Sequence, residues 1–220
     1  MAGRHLHRVC AEIINLGLNG RSSRLAQVAD FCDYAVDMLN RSKPRKLTAL
    51  GERRPFLIFT DGSWENGFAG LGAVLLDTAT NQKWVLCGEV PECLLTKWKQ
   101  QVGEQLICQI ELYAMVVVRW MFRDLLTNRR SIWWVDSEAA RFSAIKGLSP
   151  SPAMRWLVRE LYSFEVDSPT FSWIERVPSF SNPADGPSRA MPEEVMALLG
   201  IHSFSNFEHP PELIQRLLSA

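Results

Sequence analysis

Between Pro55 and Val90 the chain carries three apolar runs of strand length, Phe56–Thr60, Gly70–Asp77 and Lys83–Val90. Their connections are short enough to suit antiparallel hairpins. The pattern then changes period. Gln109–Leu126 reads as one long apolar helix and Ser131–Val135 as a compact strand of the kind buried on both faces. Ser137–Ile145 and Pro152–Ser163 read as helices, Phe171–Val177 as a fifth strand, and Pro183 opens a last helix-like segment. The order βββαβααβα predicts an α/β fold, a five-stranded mixed sheet whose first three strands are antiparallel, with helices on both faces.

Residues 9–18 and 23–40 place apolar side chains at helical spacing. In the second set the predicted face is Leu25, Val28, Ala29, Phe31, Cys32, Ala35, Val36 and Leu39. A proline-containing basic stretch without periodicity, Arg41–Arg54, reads as a linker. The expected organisation is a helical basic segment and linker over 1–54, a domain over 55–190 and a helical tail over 191–220. The charge is uneven: residues 1–54 carry ten Lys/Arg against five Asp/Glu, residues 55–190 thirteen against fifteen, and the tail one against four. A basic arm before a mildly acidic body suits a polyanionic partner, and a solvated basic surface helix explains the arm equally well. Five scattered cysteines form no CxxC pair and have no histidine at zinc spacing, which predicts buried or free thiols in a reducing compartment. With no signal-peptide core and no apolar run of spanning length, the expected location is intracellular, cytoplasm or nucleus, away from membrane.

Four acids stand out against this frame. Asp61 closes the first strand in Thr60-Asp61-Gly62-Ser63, where a turn-forming role is the alternative. Glu111 sits in the most apolar part of the longest helix, where a carboxylate is costly without a partner or metal, unless that face is open near the helix start. Asp136 ends the fourth strand, a place where ligands collect and also a plain N-cap. Asp185 lies in Asn182-Pro183-Ala184-Asp185 and could be a first-turn helix residue. Clustered carboxylates repel one another and call for divalent cations, which makes a two-metal phosphoryl-transfer site the leading hypothesis.

In these motifs the stretch from Pro55 to about Arg189 resembles a ribonuclease H domain, and more narrowly those attached to reverse transcriptases of retroelements. The resemblance joins Thr60-Asp61-Gly62-Ser63, Gln109-Ile110-Glu111-Leu112-Tyr113-Ala114, Val135-Asp136-Ser137 and the closing stretch Val177–Arg189, in that order. It implies an endonuclease that hydrolyses the RNA strand of RNA–DNA hybrids with two Mg²⁺ ions, for which Mn²⁺ can substitute. Asp61 would bridge both ions, Asp185 would hold the one that activates water, and Glu111 and Asp136 the one near the leaving 3′ oxygen. Ser63, Ser137, Asn182 and Arg189 become candidate substrate contacts, Ser137 toward a ribose 2′-OH. Residues 1–54 would correspond to the end of an upstream reverse transcriptase domain.

Two departures bear on substrate grip. The loop Val177–Pro183 lacks the histidine that many members carry there, and the short link from Gly147 to Pro152 leaves no room for a basic gripping helix. Arg129, Arg130, Lys146, Arg155 and Arg159 remain as candidate phosphate contacts. The competing readings are a DNA-cutting relative of transposase or integrase type and an inactive scaffold that binds nucleic acid or protein.

Overall fold

Alternation along the first strand sets the sheet. The computed structural model describes residue 11 and residues 25–42, 54–149 and 151–219. In β1 (Phe56–Glu65), Phe56, Ile58 and Thr60 are buried on one face, while Leu57 and Phe59 are half-buried on the other. Asn66 and Gly67 both take positive φ, 51° and 83°, in the two-residue turn to β2 (Phe68–Asp77). β3 (Gln82–Glu89) continues the antiparallel meander. β4 (Arg130–Val135) then lies parallel to β1, and β5 (Phe171–Arg176) parallel to β4. The sheet order is β5-β4-β1-β2-β3-β6, so it has six strands and not the predicted five. The sixth, β6 (Ser205–Asn206), is a two-residue strand paired parallel to the outer edge of β3.

Helices cover both faces. On one side α2 (Glu92–Val102), α3 (Ile107–Met121), α4 (Arg123–Leu126), α5 (Glu138–Lys146) and α6 (Pro152–Asp167) enclose the main core. On the other, α7 (Asp185–Ser188) and α8 (Glu193–Leu199) lie over β1, β2 and β3, where Val195 packs with Val74, Val85 and Phe59. Beyond that cover the β4–β5 part of this face is open. Trp134 is half-buried and stacked on Phe59 with ring centroids 6.1 Å apart, and Trp173 is 66% exposed. The expectation of a fourth strand buried on both faces is therefore corrected: among the described residues no helix lies across its second face.

Three further differences have physical reasons. The single helix expected over 109–126 breaks at Phe122, whose φ and ψ of −102° and 16° interrupt α3, because apolar spacing runs through the break unmarked by Gly or Pro. α2 was not expected, although Leu94, Leu95 and Trp98 fall at helical spacing and are buried. In α1 (Leu25–Arg41) the face toward α6 is Tyr34, Ala35 and Met38, while Cys32, Val36 and Leu39 of the predicted face are exposed. Polar anchors decide the rotation: Tyr34 Oη donates to the Arg159 carbonyl at 3.1 Å, and Arg41 pairs with Asp167 at 2.5 Å. The helix expected over 9–18 lies outside the described residues except at residue 11.

The segment after 191, expected as a helical tail, is built into the core. Phe207 packs against Gly88, α9 (Pro211–Ser219) buries Leu213 and Leu217, and Tyr113 Oη meets His209 Nδ1 at 2.9 Å. Beneath the sheet, Arg119 of α3 is buried beside Glu165 of α6, with nitrogen and oxygen 3.8 Å apart. Its Nη2 donates to the Ser168 carbonyl, and Glu165 accepts from the Thr170 amide at 3.3 Å. Among the described residues no helix is long and apolar enough to cross a membrane.

Candidate active site

Register brings the first two acids together. β4 runs beside β1 only as far as Phe59 opposite Trp134, and each chain then continues two residues to Asp61 and Asp136. Neighbouring positions in a parallel pair share a face, so the two carboxylates stand side by side where β4 ends. Asp61 does not close β1, which runs on to Glu65 paired with β2 alone. The turn is made by Asn66-Gly67, so the alternative turn-forming role of Asp61 is absent. Asp136 is likewise free of capping duty: Ser137 caps α5, its hydroxyl accepting from the Ala140 amide at 3.3 Å.

Two glycine seats bring in the other acids. A Cβ on Gly62 would stand 2.7 Å from the Glu111 backbone nitrogen, so only a glycine lets α3 press its first turns against β1. Glu111 thereby reaches Asp61 and Asp136. On the opposite side a Cβ on Gly72 would lie 2.2 Å from the Ala184 carbonyl oxygen, and one on Gly70 1.8 Å from that of Ser188. The short helix α7 therefore rests directly on β2 and delivers Asp185. Gly72→Val is expected to lift α7, lowering activity by about 10²-fold, since ångström-scale misplacement costs that much. Assay of the folded variant, with far-ultraviolet circular dichroism as control, checks it; near-native activity would contradict the seat.

Electrostatics record the crowding. Burial first, then the charges of Asp136 and Asp185, push the Asp61 carboxyl up to about 7, against a hydrogen bond from Ser188 that opposes the shift. Burial, followed by the charges of Asp136 and Asp61, pushes Glu111 up to about 9. Glu111 Oε2 is buried and has no hydrogen-bond partner among the described residues. Arg119, the nearest base on its helix, is committed to Glu165. Asp185 Oδ1 accepts from Arg189 Nε at 3.2 Å, and Arg189 also pairs with Glu65. Among the described residues no three acidic, imidazole or thiol groups already surround a common point at coordinating distance, so the carboxylates adjoin without forming a closed cage. An all-oxygen donor set with one orphaned carboxylate oxygen and two raised carboxyl pKa values fits a hard divalent cation.

The four softer candidates have separate fates. Ser63 Oγ is buried and donates to the Ser188 carbonyl at 2.6 Å. Asn182 is buried too, its Nδ2 donating to the Thr60 carbonyl at 3.2 Å and its Oδ1 accepting from the Ala184 amide at 3.2 Å. These two bond inward and frame the site. Ser137 keeps a hydroxyl hydrogen to give, and Arg189 is held against Asp185 and Glu65. Arg129 and Arg130 are corrected as phosphate contacts for this site. They stand at the opposite end of the sheet, where Arg129 bonds Asp77 at 2.9 Å, because β4 runs its full length between Arg130 and Asp136. Arg141 and Arg176 lie at the site end instead and had not been singled out. They pair with Glu175 at 3.1 Å and Glu138 at 3.4 Å respectively. Also missed was Phe180, 93% exposed on the turn that Asn182 ties to Thr60.

No protein-family model matches this sequence, and no match was found among curated proteins. Among solved structures the chain is similar to LC11-RNase H1, isolated from compost by a metagenomic approach. The identity is 18%, over 65% of this chain and 99% of that one, with a TM-score of 0.47. The structure of LC11-RNase H1 in complex with RNA/DNA hybrid gives 18% identity, 64% and 99% coverage and a TM-score of 0.46. RNase H1 from the halophilic archaeon Halobacterium salinarum gives 15%, 65% and 98%, and 0.42. Likeness at this level leaves the chemistry to be argued from the site's own geometry.

Proposed function

We propose that the chain is a metal-dependent endonuclease that hydrolyses the RNA strand of RNA–DNA hybrids, of the kind attached to retroelement reverse transcriptases. One observation carries this reading: four carboxylates from β1, α3, the end of β4 and α7 lie together at one end of the sheet, with Glu111 Oε2 buried and without a hydrogen-bond partner among the described residues. Asp61, Glu111, Asp136 and Asp185 would hold two Mg²⁺ ions, with Mn²⁺ able to replace them. When bound, such ions stabilise the attacking and leaving oxygens of a phosphodiester displacement.

The protein's own groups do the positioning. Asp61 and Asp136 stand side by side where β4 ends, and Glu111 and Asp185 lie close enough to act on Asp61 or Asp136 electrostatically. The Ser137 hydroxyl, anchored by the Ala140 amide, is free to donate to a ribose 2′-OH, the group that separates RNA from DNA. Phe180 offers an exposed ring for a base to stack on. Arg176 can exchange its surface ion pair for a phosphate. Arg189, released from Asp185 by a cation, becomes available to do the same. An upstream polymerase segment would supply the rest of the grip.

A labelled RNA–DNA hybrid, offered beside single-stranded RNA and duplex DNA in Mg²⁺ or Mn²⁺, tests the proposal. The expected result is cleavage of the RNA strand of the hybrid alone, absent in Asp136→Asn. Cleavage of duplex DNA would instead favour a transposase-type relative. A hybrid bound but left whole would favour a scaffold.

A further inference from the structure

The structure assigns a fifth polar member to the acidic cluster: we infer that Ser188 is a positioning residue that aims the Asp61 carboxylate. The inference rests on the metal-site reading above and adds to it a residue that is not itself an acid.

Ser188 is fully buried, and its Oγ donates to Asp61 Oδ2 at 2.5 Å across 127 residues of sequence. The same Oγ lies 2.8 Å from the Asp185 carbonyl oxygen. A hydroxyl has one hydrogen, and an ionised carboxylate is the stronger acceptor, so the bond belongs to Asp61. The serine is itself fixed from three sides. Its amide donates to the Ala184 carbonyl at 3.0 Å, and its carbonyl accepts from Ser63 Oγ at 2.6 Å. Its backbone lies against Gly72, where a Cβ would stand 2.4 Å from the Ser188 nitrogen.

Two consequences follow from this placement. The bond occupies one lone pair of Oδ2 and stops rotation of the carboxylate, leaving Oδ1 and the remaining lone pair of Oδ2 for the cleft. Because Ser188 and Asp185 share one helical turn, the bond also sets the distance between the two acids that come from opposite ends of the domain. An acid-to-cation contact that must be made by both residues at once therefore depends on a group touching neither substrate nor ion.

The test is Mn²⁺ binding by calorimetry without nucleic acid, on wild type, Ser188→Ala and Ser188→Cys, with the fold of each checked by circular dichroism. Cysteine keeps the volume but is a weak donor, so it separates the hydrogen bond from packing and carries the test if the alanine variant fails to fold. Both variants are expected to bind Mn²⁺ about 10- to 100-fold more weakly, as is usual when a ligand loses its orienting partner. Both should also lower kcat with little change in KM for the hybrid. Wild-type affinity in the cysteine variant would reduce Ser188 to a packing residue and overturn the inference, as would unchanged affinity in both with only a lower melting temperature. In those cases wild-type hybrid cleavage stands, and so does the proposed function. A wild type that binds no Mn²⁺ overturns both.

Discussion

Asp61→Asn is expected to lose about 10³-fold or more of the proposed hybrid-cleaving activity and, without metal, to be more stable than the wild type. The two effects have one cause. Loss of one of the four carboxylates proposed to hold the cations would remove several kcal/mol of charge stabilisation in the displacement, and each 1.4 kcal/mol is tenfold in rate. In the metal-free protein the same carboxylate is a burden, because burial and then Asp136 and Asp185 hold its pKa well above the ordinary range. An acid raised on folding binds its proton more tightly in the native state, so stability falls as pH climbs from the unfolded pKa of about 4 through the folded one. Glu111 carries the same loss on to higher pH. Asparagine cannot ionise and can still accept from Ser188. Melting curves in chelator from pH 5 to pH 9 should show wild type losing stability with rising pH and Asp61→Asn losing less. Parallel curves would mean that folding does not raise the Asp61 pKa.

Arg119→Ala is expected to destabilise the protein by about 3–5 kcal/mol, a large part of the 5–15 kcal/mol typical of a domain. Arg119 and Glu165 are 1% and 5% exposed, so removing the guanidinium takes away the cation beside a buried carboxylate that also accepts from the Thr170 amide. The double variant Arg119→Met with Glu165→Met should recover most of the loss, because apolar side chains of similar size avoid the desolvation cost of the pair. Urea midpoints decide it. A single variant within 1 kcal/mol of wild type would show that water or a rearrangement reaches Glu165.

The parts of the fold written in punctuation were legible in the sequence. The three closely spaced apolar runs and the compact runs of β4 and β5 marked the first five strands, the first three of them antiparallel, while the extension of β1 past Asp61 to a turn at Asn66-Gly67 was not foreseen. β6 was not legible, since Ser205-Asn206 has no strand pattern and exists only because the open edge of β3 accepts it. Part of the face of α1, at Cys32, Val36 and Leu39, was misread because hydrophobic spacing cannot see the hydrogen bonds of Tyr34 and Arg41 that set its rotation. At the site, the four acids were legible because each stands in a short motif. The means of bringing them together was not. Gly62, Gly70 and Gly72 look like ordinary strand glycines until a helix is laid on each, and Ser188 looks like any polar residue near a helix end until its partner 127 positions away is known.

The central claim is that these carboxylates hold divalent cations. Its most direct test is the melting temperature of wild type and Asp61→Asn at pH 8, with and without millimolar Mg²⁺. A cation that binds only the folded state stabilises it by RT ln(1 + [L]/Kd). The account predicts a clear rise for wild type and little or none for Asp61→Asn. An unchanged wild-type melting temperature, or an equal rise in both proteins, would contradict it.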